Sequence, residues 1–194
     1  MLTVILTGGK SRRMGRDKAM LETNSGTMAL MLAQRYASLP GEVAFAVDIA
    51  GRFDCGDFRE LPDSFPGKGP MNGLYSAFNA GEDYVFLTAT DMPFGDPTLA
   101  MHLLESIEDR DICTILHPNG HVEPLFSVYH RRCLPTVEEF LNSGEYSLTK
   151  LFHRHPVTAL PVETLGQWDL ERILTNVNTP EDYRRYKDIQ SNDG

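Results

Sequence analysis

Tyr84-Val85-Phe86-Leu87-Thr88-Ala89-Thr90 is the stretch that decides the fold class. It is apolar on both alternating faces, the pattern of a strand in a parallel sheet with helices on either side. Strand and helix patterns alternate before and after it. On the N-terminal side, Leu2–Thr7 (LTVILT) reads as a buried strand closed by Gly8-Gly9, and Val43–Asp48 as a second apolar strand. Between them Thr27–Leu39 places Met28, Leu32, Ala33 and Tyr36 at helical spacing, and Pro40-Gly41 ends the helix. A short strand is expected at Phe58–Leu61. Pro62–Pro70, with three prolines and two glycines, is a loop, and Met71–Ala80 is a helix with Pro70 at its first position. On the C-terminal side, Asp96-Pro97 is an N-cap and a first-turn proline that open a helix through Ile107. Asp111–Leu116 and Leu125–Tyr129 read as strands, Leu134–Leu141 and Leu148–Phe152 as helical. Thr179-Pro180-Glu181-Asp182 starts a final helix to about Ile189. No repeat or linker interrupts the alternation. It predicts a single α/β domain over residues 1–194 with a mainly parallel sheet, the last few residues forming a disordered tail.

The bulk numbers exclude several other classes. The chain has 194 residues, 41% hydrophobic and 23% charged, which suits a soluble globular protein and not a disordered, collagenous or coiled-coil one. Its longest apolar runs, such as Val43–Val47 and Tyr84–Leu87, fall far short of a membrane span. Met1–Leu6 passes into a strand without a basic leader, so no signal peptide is expected. Cys55, Cys113 and Cys133 are too far apart to form a disulfide frame or a C-x-x-C site, and the expected location is the cytoplasm. Eighteen basic against 27 acidic residues give a net charge of −9, which argues against a protein built to grip nucleic acid.

In a sheet of this kind ligands bind beyond the carboxyl ends of the strands, near a topological switch point. The residues to weigh are therefore Gly8–Lys18 after the first strand, Asp48 after the second, Asp63 nearby and Asp91 after the third. Lys10, Arg12, Arg13, Arg16 and Lys18 set five cations within nine residues of an acidic chain. Two glycines in front of them let backbone N–H groups approach phosphate oxygens, and Ser11 adds a hydroxyl. The spacing is neither that of a P-loop nor that of a G-x-G-x-x-G fingerprint. Asp91 closes an apolar strand, and the Met92-Pro93 that follows disfavours an immediate helix for it to cap. A lone carboxylate at such an edge suits Mg²⁺, which takes one or two carboxylates together with substrate phosphates. A cationic glycine loop beside it suggests a nucleoside triphosphate. His153 and His155 read as surface cations at a helix end rather than metal ligands, and Met14 and the other methionines as packing residues.

Leu6-Thr7-Gly8-Gly9-Lys10-Ser11-Arg12-Arg13-Met14-Gly15-Arg16-Asp17-Lys18 resembles the L-x-G-G-x-S-x-R-M-G-x-D-K signature of the MobA-like nucleotidyltransferases. Gly69-Pro70-Met71-Asn72-Gly73 is similar to that family's G-P-L-x-G turn, and Thr90-Asp91-Met92-Pro93-Phe94 to its D-M-P-F metal loop. Glu123-Pro124-Leu125 with Tyr129 resembles its E-P-L…Y segment, and Asn176–Asp182 its N-x-N-T-P-E-D tail. The resemblance runs from Leu6 to Asp182 and is nearest to the molybdenum cofactor guanylyltransferases. It implies a Rossmann-like fold of the nucleotide-diphospho-sugar-transferase type and transfer of GMP from GTP to Mo-molybdopterin, with release of pyrophosphate. It places catalytic roles on Arg13, Lys18 and Asp91, and nucleotide contacts on Leu6, Thr7, Gly8, Gly9, Lys18, Asp63 and Asp91. Mg²⁺ falls on Asp91 and Asn178. GTP and Mo-molybdopterin are the implied substrates, and a MobB-like helper and molybdoenzyme acceptors are allowed among the partners, with no nucleic acid and no membrane. Arg131, Arg132 and Lys150 are candidates for the pterin phosphate, and Glu123 for orienting the pterin. One position departs from the family: Ala46-Val47-Asp48 stands where members often carry an asparagine. A relative using CTP or another acceptor, and a non-catalytic nucleotide-binding assembly protein, are the alternatives.

Overall fold

The computed structural model describes residues 1–8, 17–65 and 67–192. The first strand is β1 (Leu2–Leu6), buried at every residue. A hairpin of β2 (Glu22–Thr23) and β3 (Gly26–Thr27) leads into helix α1 (Met28–Tyr36), then β4 (Glu42–Val47) and β5 (Arg59–Pro62). Helix α2 (Pro70–Asn79), β6 (Tyr84–Ala89), α3 (Pro97–Ser106), β7 (Ile112–Leu116) and β8 (Ser127–His130) follow. The chain ends with α4 (Leu134–Ser143), β9 (Val157–Pro161), α5 (Leu170–Ile173) and α6 (Pro180–Asn192).

Seven strands form one sheet in the order β5-β4-β1-β6-β8-β7-β9. β5, β4, β1 and β6 pair in parallel, as do β7 and β9, whereas β8 runs antiparallel to both of its neighbours. The chain builds outward from β1 through β4 to β5, then returns to add β6 on the other side. The β1–β6 boundary is therefore the topological switch point, where the carboxyl ends of adjacent strands splay apart and leave a crevice.

The sheet is covered on both faces, as the apolar pattern of β6 requires. Ile5, Phe45, Phe86 and Val128 pack with Met28, Leu32 and Tyr36 of α1 and Leu99 and Leu103 of α3. Val4, Leu6, Ala44, Ala46, Val85 and Leu87 pack on the other face with Met71, Leu74 and Phe78 of α2 and Val137 and Phe140 of α4. Each large apolar side chain removed from water here contributes about 1.5–3 kcal/mol. The helix starts follow the sequence chemistry. The Asp96 carboxylate accepts the Thr98 N–H at 2.7 Å ahead of α3, and the Thr179 hydroxyl accepts the Asp182 N–H at 3.1 Å ahead of α6.

Several boundaries differ from expectation. The β2–β3 hairpin, β9 and α5 have no counterpart in the sequence reading. The Leu125–Tyr129 strand starts two residues later, at Ser127, because Pro124 and Leu125 belong to the turn that the Phe126 N–H closes on the Glu123 carbonyl at 3.0 Å. Leu148–Phe152 lies within a 3-10 stretch, Leu148–His153, rather than an α-helix. α6 runs past Ile189 to Asn192, so much of the expected tail is helical, and residues 193 and 194 lie outside the described residues. Cys55, Cys113 and Cys133 are free and buried, and burial is the first cause pushing each thiol up to about 12. No helix among the described residues is long and apolar enough to cross a membrane.

Candidate active site at the carboxyl edge of the sheet

The ends of β1 and β6 are stitched together at the switch point. The Thr90 N–H donates to the Leu6 carbonyl at 3.1 Å, and Thr7 donates to the Ala46 carbonyl of β4 through both its N–H (3.2 Å) and its hydroxyl (2.7 Å). These bonds fix the direction in which β1 runs into Gly8. Residues 9–16 lie outside the described residues, and with them the expected nucleotide contact at Gly9, the expected catalytic Arg13 and the rest of the cationic loop. The chain is described again at Asp17, whose carboxylate caps the short 3-10 turn Lys18–Met20 by accepting the Ala19 N–H at 3.0 Å.

That turn delivers Lys18 to the centre of the site. Its Nζ lies 2.6 Å from Oδ1 of Asn178 and 3.6 Å from Oδ2 of Asp91. Asp91 sits in the turn after β6, and its carbonyl accepts the Val177 N–H at 2.7 Å, which ties the segment before α6 to the sheet edge. Asn178 is held in turn by the Asp182 carboxylate, which accepts the N–H groups of Asn178 and Thr179 at 2.9 Å each. Those bonds, the one from Asn178 first, keep the Asp182 carboxyl below the usual carboxylate range.

The donor set fits a hard divalent cation. Oδ1 of Asp91 is buried with no hydrogen-bond partner among the described residues, an uncommon position for a carboxylate oxygen without a ligand. A carboxylate and an amide oxygen facing one cation leave room for phosphate oxygens, the pattern that Mg²⁺ prefers over an all-protein cage. Among the described residues no group of three or more His, Cys, Asp or Glu side chains could hold a metal by itself.

The neighbouring strand ends add acceptors. The Asp63 N–H donates to the Val47 carbonyl at 2.8 Å, and its carboxylate accepts a hydrogen bond from the fully buried Asn72 of α2. Burial raises the Asp63 pKa; the Asn72 bond lowers it and the charge of Asp48 adds to the rise. Helix α2 approaches β1 and β4 so closely that a Cβ on Gly73 would fall 2.3 Å from Leu6 Cδ2 and 3.3 Å from Ala46 Cβ, so any side chain there would force Leu6 to move. Gly69 begins the helix at φ 64°, ψ −150°, a conformation open essentially to glycine alone.

A family model, the MobA-like NTP transferase domain, matches residues 3–162. The chain belongs to the MobA-like NTP transferase family. As a MobA-like NTP transferase it is a nucleotidyltransferase, and its relatives agree. A probable molybdenum cofactor guanylyltransferase from Pelotomaculum thermopropionicum is 35% identical over 92% of this chain and 88% of its own length. One from Carboxydothermus hydrogenoformans is 34% identical over 98% of this chain and 97% of its own. Among solved structures, molybdopterin-guanine dinucleotide biosynthesis protein A from Archaeoglobus fulgidus superposes with a TM-score of 0.85 at 25% identity, covering 99% of this chain and 100% of that one. At 13% identity and a TM-score of 0.69, the 2-C-methyl-D-erythritol 4-phosphate cytidylyltransferase of Thermus thermophilus, covered to 98% with 97% of this chain, shares the fold alone.

Within this MobA-like frame the expected site residues separate by edge. Leu6, Thr7, Gly8, Lys18, Asp63, Asp91 and Asn178 all lie on the carboxyl edge around the switch point. Arg131 and Arg132 do not. They follow β8, whose reversed direction delivers them to the opposite edge. There Arg131 donates to the Phe78 carbonyl at 2.6 Å and Arg132 pairs with Asp111 ahead of β7. They are structural, and Lys150 is paired with Glu145. His155 is likewise no surface cation, since its side chain is 9% exposed and bridges Asp111 (Nδ1 to Oδ2, 2.8 Å) and the Thr136 hydroxyl (2.9 Å).

One site residue was missed altogether. Arg52 reaches back from the loop after β4, donating to the Thr7 carbonyl at 2.5 Å and to Asp48 Oδ1 at 2.8 Å, with Asp17 Oδ2 at 3.3 Å from its Nε. A single arginine in an irregular loop carries no periodic signal. Its spacing of four residues from Asp48 was the one available clue.

Proposed function

We propose that this MobA-like protein is a molybdenum cofactor guanylyltransferase, acting in the cytoplasm as one unit over residues 1–194. It transfers GMP from GTP to Mo-molybdopterin, with Mg²⁺ as cofactor. The observation that carries the reading is the convergence of Lys18, Asp91 and Asn178 at the switch point, in a chain whose relatives bear the guanylyltransferase name. A MobB-like helper and the molybdoenzymes that receive the product are partners in this reading.

The terminal phosphate of the acceptor is already ionised near neutral pH, so attack needs no strong base. One of its oxygens bonds to the α-phosphorus of GTP, the α–β bridging bond breaks, and pyrophosphate leaves with the electron pair. The chain's task is to position the two substrates and to oppose the charge that moves onto pyrophosphate. Lys18, with Arg13 from the cationic loop, receives the β- and γ-phosphates. Asp91 would hold Mg²⁺, with Asn178 Oδ1 joining it as Lys18 turns from that oxygen to the phosphates, and the ion would supply charge neutralisation. The backbone of Leu6, Thr7, Gly8 and Gly9 lies along the nucleotide, and Asp63 contributes an acceptor.

Guanine selection has a physical basis in Arg52. Its guanidinium gives two N–H groups of one planar unit to the Thr7 carbonyl and the Asp48 carboxylate. Guanine presents an equivalent donor pair at N1–H and N2–H₂, which would take these two acceptors in exchange for Arg52. The departure of Asp48 from the family's asparagine keeps an acceptor oxygen in place.

The test is transfer of radiolabelled GMP from GTP to Mo-loaded molybdopterin by the purified protein with Mg²⁺. Labelled dinucleotide product together with pyrophosphate supports the reading. Transfer from CTP and not GTP, or GTP binding without transfer to the acceptor, overturns it.

A further inference from the structure

Lys18 and Asp91 occupy only part of the carboxyl edge. β7 runs parallel to β6 with β8 between them, so the carboxyl end of β7 lies on the same edge, two strands away. At a spacing of about 4.8 Å per strand that is a separation of about 10 Å. The chain leaves β7 there in a tight turn. The His117 N–H donates to the His121 carbonyl at 2.8 Å, Gly120 takes φ 81°, and Leu116 bridges Val122.

The turn folds two histidines onto one carboxylate. His117 Nε2 is 2.8 Å and His121 Nε2 3.8 Å from the same oxygen, Oε1 of Glu123. The backbone of Glu123 is anchored from several directions. Its N–H donates to the Ile115 carbonyl at 3.3 Å, and its own carbonyl accepts the Phe126 N–H at 3.0 Å and the hydroxyls of Ser127 at 2.6 Å and Thr114 at 3.4 Å. Ser127 and Thr114 are fully buried, so the seat is rigid. The Glu123 side chain is 19% exposed, and its second oxygen, Oε2, meets no donor among the described residues. Nothing in the nucleotide chemistry at Lys18 and Asp91 uses this cluster.

We propose that Glu123, with His121 beside it, is the subsite that reads the pyrimidinone edge of the pterin acceptor, an inference that rests on the guanylyltransferase reading. That edge presents in order an amino N–H, a ring N–H and a carbonyl, which is donor, donor, acceptor. The two oxygens of Glu123 supply two acceptors, and the Nε2–H of His121 supplies the donor, in the complementary order. His117 holds Oε1 from the turn and fixes the plane of the carboxylate. The bonds to the carboxylate are charge-assisted and stronger than neutral ones. A pterin seated at the end of β7 directs its phosphate arm along the edge toward Lys18 and Asp91, and the fused rings with their arm match the two-strand separation. A ring with a carbonyl in place of the 2-amino group would set that oxygen against Glu123 and leave the carboxylate short of a donor, a mismatch that polar sites penalise heavily.

The experiment is an equilibrium titration followed by pterin fluorescence, with 6-hydroxymethylpterin phosphate as the probe and the full chain held with Mg²⁺ and a non-hydrolysable GTP analogue. Wild type, Glu123→Gln and His121→Phe are compared, with the analogue's affinity measured by calorimetry in parallel. Glu123→Gln is expected to weaken the pterin phosphate roughly tenfold or more, and His121→Phe about threefold, at unchanged affinity for the GTP analogue. Wild type is expected to prefer the pterin to its 2-oxo (lumazine) counterpart by at least roughly tenfold. Equal affinity of wild type for pterin and lumazine phosphates overturns the subsite whether or not the variants fold. So does Glu123→Gln with wild-type pterin affinity, and in both cases the guanylyltransferase reading stands. Failure of wild type to bind the pterin phosphate at all overturns the subsite and that reading together.

Discussion

Lys18 and Asn178, 160 positions apart in the chain, meet at 2.6 Å between Nζ and Oδ1. The contact joins the turn after the first strand to the segment before the last helix, and it places the ammonium 3.6 Å from Asp91 at the switch point. An amide oxygen is a weak partner for a cation compared with the oxygens of a triphosphate. The pairing therefore holds Lys18 in position without competing strongly with substrate.

Removal of the lysine should be felt mainly in the transition state, where charge grows on the departing pyrophosphate. Lys18→Ala is expected to lower kcat by about 10²–10³-fold, with a smaller change in KM for GTP. Steady-state kinetics at saturating acceptor measures the split. An unchanged kcat with a raised KM would assign the lysine to ground-state binding alone.

Asp91→Asn keeps the shape of the side chain and removes the charge from a carboxylate whose buried Oδ1 has no hydrogen-bond partner among the described residues. Turnover is expected to vanish while circular dichroism and the thermal midpoint stay close to wild type. Normal turnover by the folded variant at limiting Mg²⁺ would take Asp91 out of the metal site.

At the opposite edge, Asp111 links β7, Arg132 and His155. Burial alone would raise its pKa, but hydrogen bonds and charge from Arg132 and His155 outweigh it and hold the carboxyl below the usual range. A carboxyl depressed in the folded state stabilises it fully above its unfolded pKa of about 3.9, and that contribution is lost as pH falls through the lower folded value. Asp111→Ala should therefore cost about 2–3 kcal/mol at neutral pH, and its stability should fall less steeply than wild type below about pH 4. Urea unfolding from pH 2.5 to 7 reads both, and parallel acid limbs would remove Asp111 from the acid response.

Base selectivity follows from the acceptors that Arg52 marks at Thr7 and Asp48. Calorimetry with Mg²⁺ should show GTP binding at least about tenfold tighter than CTP or ATP, a difference of about 1.4 kcal/mol. Inosine triphosphate, which lacks the N2 amino group, should fall between them. CTP binding as tightly as GTP would favour a cytidylyl assignment.

The parts of the fold and site legible in the sequence are those written in local periodicity and strand-end chemistry. β1, β4 and β6 are continuous apolar runs, and the residues just beyond them, Thr7, Asp48 and Asp91, meet at the crevice because parallel strands share an edge. What escaped was set by direction and distance. The pairing of β8 is antiparallel, which no local pattern announces, and that reversal carries Arg131 and Arg132 away from the substrate edge. His155 looked like a helix-end cation because Asp111, its partner, lies 44 residues earlier. Arg52 is invisible for the same reason, since its target at Thr7 is 45 residues away.

The buried cysteines set the redox behaviour of the whole chain. Thiol–disulfide exchange proceeds through the thiolate, and thiols pushed up to about 12 in Cys55, Cys113 and Cys133 leave about one part in a hundred thousand ionised at neutral pH. All three are also shielded from solvent. The chain therefore presents no accessible thiolate, and a thiol-bearing molecule that meets its surface finds no cysteine there with which to form a mixed disulfide.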